Sequence, residues 1–174
     1  ACGDITGRSM LAHTAIRESE VAVNHILGVE DLMDYDCIPG VVYTNPEVAG
    51  VGKTEEELKA AGTGYHVQKL PIGKPMNVYY DYQFDGIWQT GDDIANSTMP
   101  NAQPGMIRVA DVDGNGSIDD DDRIVGCHIL GNPASEIIVI AGIAIQRGYT
   151  VEEFQKSVFP HPTAGEIFHE ALFS

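Results

Sequence analysis

Residues 111–122 read Asp-Val-Asp-Gly-Asn-Gly-Ser-Ile-Asp-Asp-Asp-Asp, a spacing that could hold a hard cation. Calcium takes six or more oxygen ligands on a pliant backbone, and one short segment supplies them here. Asp111, Asp113 and Asn115 offer side-chain oxygens at loop positions 1, 3 and 5. Gly116 permits the sharp turn at position 6, Ser117 presents its carbonyl at 7, and Ile118 packs inward at 8. Asp119 holds a water at position 9 and Asp122 closes the loop at 12. Asp has a shorter arm than the usual Glu at that last position, which leaves magnesium or weaker calcium binding as alternatives. A solvated acidic turn is the bland alternative to both.

Six of the 26 Asp and Glu residues lie in this segment, against 10 Lys and Arg in the whole chain and a net charge of −16. So few cations cannot make the phosphate contacts of nucleic-acid binding, and an anionic membrane surface repels such a chain. The longest apolar run, Ile137 to Ile145, is about half a bilayer span and is broken by Gly142. Neither nucleic-acid nor membrane partners are expected, and no secretory signal opens the sequence. Cys2, Cys37 and Cys127 are far apart with no CxxC pair, which argues against a disulfide framework or thiolate zinc and for reduced thiols in the cytoplasm. The sequon at Asn96 is discounted on the same ground. His13, His25, His66, His128 and His169 show no metal-ligand spacing. Gly50-Val-Gly-Lys-Thr54 has the tail of a phosphate loop without its first half, and a turn into a helix cap accounts for it better.

The elements that must position these residues are an alternation of helices and strands. Residues 7–28 form a helix with Leu11, Ala15, Ala22 and Ile26 on one face and Gly28 as its stop. Ile38 to Thr44 is a strand. Thr54 with Glu57 opens a helix that ends near Gly62. Residues 65–70 alternate like a strand, Asn77 to Phe84 is another strand candidate, and 86–105 is a long polar loop around Trp88. Met106–Ala110 and Arg123–Leu130 are strands flanking the acidic segment. Pro133 to Gln146 is a helix apolar almost all round, expected to be covered on most sides. Thr150 with Glu153, and Thr163 with Glu166, cap the last two helices. Short connections between antiparallel strands and helices indicate an α+β fold, a sheet with helices packed on it.

Cys2-Gly-Asp-Ile-Thr-Gly-Arg-Ser-Met-Leu-Ala-His-Thr-Ala and Ile38-Pro-Gly-Val-Val-Tyr-Thr-Asn-Pro-Glu-Val-Ala-Gly-Val-Gly closely resemble dihydrolipoamide dehydrogenase. So do Gly126-Cys-His-Ile-Leu-Gly and His161-Pro-Thr-Ala-Gly-Glu. The resemblance covers residues 1–72 and 123–174 and implies the C-terminal interface domain that builds the family's homodimer. It implies that Asp4, Met10, Leu11, Ala12 and His13 form the segment contacting FAD. It also implies that His161 and Glu166 are a catalytic dyad acting on the partner subunit's flavin and disulfide. An imidazole near neutral pKa can take a thiol proton, and a carboxylate fixes its tautomer and raises its basicity. Glu166 is equally explained as the third residue of a helix capped by Thr163, and one carboxylate can do both. His161-Pro162 is a candidate cis bond. Phe159 stands where the family usually has another histidine, and Gly165 loosens the first helical turn. The family's FAD fold with GxGxxG, its redox cysteine pair and its NAD domain are not in this sequence, so no activity is expected of it alone.

Residues 78–126 resemble a different source. Tyr82-Gln-Phe-Asp-Gly-Ile-Trp-Gln-Thr-Gly and Gln103-Pro-Gly-Met-Ile-Arg-Val-Ala-Asp-Val-Asp-Gly-Asn-Gly are similar to a segment of SusC-type TonB-linked outer-membrane receptors, with a dockerin-like calcium loop. Both arms keep strand character, so the loop could stand in for a hairpin turn without shifting register. The chain thus reads as a chimera: one interface domain over 1–174, FAD/NAD-linked reductase dimerisation-domain-like, with an inserted segment 78–126. Its function would be a homodimerising module with a Ca²⁺ loop. The alternatives are a calcium-binding module on an inert scaffold, or a fragment of a flavin-dependent disulfide oxidoreductase that needs its FAD and NAD domains.

Overall fold

The computed structural model describes residues 1–70, 105–110, 121–160 and 163–173. The candidate strand 77–84, most of the polar loop 86–105, loop positions 111–120 and the His161-Pro162 bond lie outside them. The chain divides into two compact units, Ala1–Ile38 and Pro39–Ser174.

The first unit is built on helix α1, Ala12–Ile26, preceded by a 3-10 turn at Asp4–Thr6 and followed by another at Tyr35–Cys37. The helix expected from residue 7 starts five residues later. Gly7 is left-handed at φ 69°. Between them the side chains of Thr6 and Ser9 take up local polar groups: the Arg8 amide donates to the Thr6 hydroxyl (3.4 Å), and Ser9 and Thr14 share a hydrogen bond (2.9 Å). Such hydroxyl bonds offer the backbone an alternative to the helix. The buried positions of α1 are Thr14 and Glu18, whereas Ile26, on the apolar face read from the sequence, is 81% exposed.

Among its described residues the second unit forms a five-stranded antiparallel sheet in the order β1-β2-β5-β4-β3. Its strands are β1 Gly40–Val42, β2 Val48–Gly52, β3 Tyr65–Leu70, β4 Gly105–Ala110 and β5 Arg123–Leu130. The strand expected over 38–44 shrinks to three residues. Strand β2 was not expected, because its glycines read as a turn. The fold needs them. A Cβ on Gly50 would sit 2.7 Å from the His128 ring, and one on Gly52, at φ +76°, 2.3 Å from the Val125 carbonyl. Residues 50–52 are thus strand, and the phosphate-loop alternative falls with them.

Strand β5 carries a bulge. Arg108 pairs with Gly126 but Val109 with Ile124, so Val125 is extra and its carbonyl accepts from the Lys53 amide at 2.8 Å. One extra residue flips the inward parity, which is why Ile124, Cys127 and Ile129 all reach one core.

Among the described residues the unit's helices are α2 (Glu55–Ala61), α3 (Ala134–Arg147), α4 (Val151–Gln155) and α5 (Glu166–Phe173). Helix α3 packs on β1, β2 and β5, and α5 packs on α4, β3 and β4. Ile138, Ala141, Ala144, Val151, Phe154 and Phe168 fill the space between. Helix α3 is less enclosed than its all-apolar surface suggested, for Val139 and Ile143 are half exposed. No helix among the described residues is long and apolar enough to cross a membrane.

Candidate functional site

Three helices begin at Thr-x-x-Glu, and the three starts are not alike. Thr54 accepts from the Glu57 amide (3.3 Å) and the Glu57 carboxylate accepts from the Thr54 amide (2.8 Å). Thr150 and Glu153 repeat this at 3.2 and 3.0 Å. Both are complete capping boxes, and their helices begin at the next residue.

At Thr163 the carboxylate arm is present: the Thr163 amide donates to Glu166 Oε2 at 2.8 Å. The hydroxyl, however, donates backwards to the Pro160 carbonyl at 2.6 Å. The first turn is tightened, with Glu166, Ile167 and Phe168 amides bonding three residues back to Thr163, Ala164 and Gly165. Helix α5 therefore starts at Glu166 itself, not with Glu166 as its third residue. Gly165 does not weaken a regular helical turn here, because it precedes the helix.

Glu166 is half-buried and its carboxylate is fixed at one end of the segment that carries His161. His161 lies outside the described residues. Phe159 is wedged among aromatic rings, with centroids 5.8 Å from Phe154 and 6.3 Å from Phe168, and His169 touches its edge at 6.4 Å. A histidine at that place could not contribute the same apolar anchor, so the departure from the resembling family has a packing role.

Of the cation-loop residues only Asp122 is described; Asp111, Asp113, Asn115, Ser117 and Asp119 are not. Strand pairing sets Ala110 opposite Arg123 at the end of the β4–β5 ladder. Asp122 is 1% exposed and its carbonyl accepts from Val151 at 2.8 Å. Arg123 bridges to Thr150 and its guanidinium donates to the Gly148 carbonyl at the end of α3. Arg123 was not singled out from the sequence, and its signal was the left-handed Gly148 stop, whose helix-end carbonyls favour a cation. Among the described residues no group of three acids, histidines or cysteines is placed to hold a metal.

In the first unit, Asp4, Ala12 and His13 are exposed, Met10 is 75% exposed and Leu11 half-buried. Glu18 gathers three donors: the Gly3 amide (2.5 Å), the Tyr35 hydroxyl (2.7 Å) and the Thr6 hydroxyl (3.4 Å). The Tyr35 and Gly3 bonds hold its carboxyl below the usual range, and the same contact raises the Tyr35 phenol. Arg8 lies over the Tyr35 ring at 4.9 Å. Arg17 forks onto Asp31, which also accepts from Asn24 at 2.8 Å, and the Arg17 bond depresses the Asp31 carboxyl. Glu18 was not anticipated, since nothing in its spacing marks an acid turned inward.

A family model for the pyridine nucleotide-disulphide oxidoreductase dimerisation domain matches residues 38–89 and 116–172. The mitochondrial dihydrolipoyl dehydrogenase of Caenorhabditis elegans is 37% identical over 173 residues, covering 98% of this chain and 30% of that protein. The human enzyme is 36% identical over 171 residues, with 98% and 29% covered. The crystal structure of LpdA from Mycobacterium tuberculosis superposes with a TM-score of 0.73 at 22% identity, covering 99% of this chain and 32% of that one. The HOCl-induced flavoprotein disulfide reductase RclA from Escherichia coli gives 0.68 at 19%, with 99% and 34% covered. Both share the fold. The chain spans under a third of the dehydrogenases it matches. It belongs to the pyridine nucleotide-disulphide oxidoreductase dimerisation-domain family.

Proposed function

We propose that this chain is the dimer-forming interface portion of a dihydrolipoamide dehydrogenase-like flavoenzyme, catalytically incomplete alone. The observation that carries this is similarity to such a dehydrogenase across 98% of the chain. In this reading residues 1–174 act as one homodimerising interface domain. FAD, when bound by the rest of such an enzyme, supplies electron exchange with a disulfide. Asp4 and Met10 to His13 line the approach to it. His161 takes and returns a thiol proton, and Glu166, already anchored through the Thr163 amide, orients the imidazole. Sedimentation tests this most directly: a dimer is expected, and a monomer at high micromolar concentration overturns the assignment. A fragment that regains lipoamide-linked NADH oxidation when the FAD- and NAD-binding portions are added would extend it to the flavoenzyme reading.

The animal relatives carry a mitochondrial location in their names. A cytoplasmic location is our reading from the sequence, in which Cys2, Cys37 and Cys127 are far apart without a CxxC pair.

A second reading concerns the cation loop and the inserted segment 78–126. One observation favours the loop, the closed β4–β5 ladder at Ala110 and Arg123; the family model omits residues 90–115 but matches 78–89 and 116–126 of the segment. Asp111, Asp113, Asn115, Ser117, Asp119 and Asp122 would ligate Ca²⁺. Melting with and without calcium decides it. Binding to the folded state alone adds about 2.7 kcal/mol at a hundredfold excess over Kd. No shift at millimolar calcium refutes the loop while leaving the interface assignment standing.

A further inference from the structure

Helix α3 carries two charged side chains, Glu136 in its first turn and Arg147 in its last. Three turns separate them, so they stand on one face, about 16 Å apart along the axis. Between them on that face lie Val139 and Ile143, 50% and 51% exposed, with half-buried Ile140 alongside. The opposite face, with Ala134, Ile138, Ala141 and Ala144, is in the core. Glu136 and Arg147 are both exposed, and neither side chain has an ion pair or hydrogen bond among the described residues.

An apolar strip with an acid at one end and a base at the other is complementary to itself turned end for end. A two-fold that sets Glu136 of one copy against Arg147 of the other also sets Arg147 against Glu136, and Ile140 and Ile143 against each other, with Val139 beside Ile143. A parallel pair would instead bring Glu136 to Glu136 and Arg147 to Arg147, repulsive at both ends. Two copies of a chain with a net charge of −16 repel one another, and this strip is locally neutral.

We infer that α3 lies at the two-fold axis of the homodimer, antiparallel to the α3 of a second copy, with Val139, Ile140 and Ile143 in contact and a Glu136–Arg147 ion pair at each end. The inference rests on the homodimer reading above and names the face that makes it. Two ion pairs and a short strip bury less than the roughly 800 Å² per partner of a stable interface, so α3 is the contact at the axis and neighbouring surface completes it.

Sedimentation of the full chain with these charges reversed tests the pairing. Glu136→Arg and Arg147→Glu each set like charges together at both ends, and each is expected to raise the dimer Kd about tenfold or more. Mixed in equal amounts, with one copy labelled, the two variants are expected to form a heterodimer, because every pair is again of opposite sign. The double reversal is expected to dimerise like wild type. Reversal also opposes the helix dipole, so Glu152→Arg in the first turn of α4 serves as the control and is expected to leave the dimer unmoved. If a reversed variant does not fold, Ile143→Ala, which shortens the strip and keeps both charges, is expected to weaken the dimer about tenfold. A wild-type dimer that these substitutions leave intact, or single variants that stay monomeric when mixed, overturns the inference and spares the homodimer reading. A wild-type monomer overturns both. Reversals that weaken addition of the FAD- and NAD-binding portions but not the dimer would assign the strip to those portions and overturn it too.

Discussion

Helices α1 and α3 run for 15 and 14 residues and bury opposite kinds of side chain. Helix α3 encloses Ala134, Ile138, Ala141, Gly142 and Ala144. Helix α1 encloses Thr14 and Glu18, and leaves Ile16, Val23 and Ile26 at the surface. The second unit is therefore held by apolar contact, which scales with area and has no direction. The first is held by hydrogen bonds converging on one carboxylate, which depend on geometry and protonation. Deletion of volume should tell mainly on the second, and removal of the Glu18 acceptor mainly on the first.

The largest effect is expected from Ile138→Ala, which empties a site 1% exposed. Losses for such truncations run to about 2–5 kcal/mol, and denaturant unfolding of the second unit measures it. A surviving melt within 1 °C of wild type would contradict the packing described for α3. Next is Gly126→Ala. The added methyl would lie 2.2 Å from the Lys53 carbonyl oxygen, a backbone atom that no rotamer change relieves. The expected cost is about 1–3 kcal/mol, with amide exchange quickening along β2 and β5.

Thr14→Val sharpens the contrast from the other side. It keeps the shape of a residue 1% exposed but removes the hydroxyl bonded to Ser9. A loss of about 0.5–1.5 kcal/mol, confined to residues 1–38, is expected from amide exchange. Acid should act on the same unit, and most locally of all. The Glu18 carboxyl is depressed in the folded state, so its contribution is complete above its ordinary value of 4.5 and is lost as pH falls through the lower folded value. Protection of the Gly3 amide should fade over that range, and in Glu18→Gln it should be weak and flat with pH. Glu47 titrates in the same direction, because the Ser135 amide and hydroxyl bond to it at the start of α3.

Much of the second unit was legible because its signals are local. The Thr54 and Thr150 boxes, the alternation of 65–70 and the apolar run of α3 each carry their cause within a few residues. Strand β2 was not, because Gly50 and Gly52 are required by His128 and Val125, which lie more than seventy residues away in sequence. The same holds for the bulge at Val125, answered by Lys53. At the candidate site the Glu166 arm could be read from spacing, since Thr-x-x-Glu places both partners within three residues. The Thr163 hydroxyl reaches backward to a carbonyl, and carbonyls are the same in every residue. In the first unit an inward acid such as Glu18 looks, in sequence, like any surface charge.

The ladder that pairs Ala110 with Arg123 also bears on how such a chain can change over evolutionary time. Once two strands are zipped to their last pair, the connection between them adds only a closure entropy that grows by about 0.6 kcal/mol per doubling of length. Arg123 is tied in addition to Gly148 and Thr150, so the joint does not lean on its connection for support. A joint of this kind is a permissive address, where foreign sequence can be admitted and tried without renegotiating the fold around it.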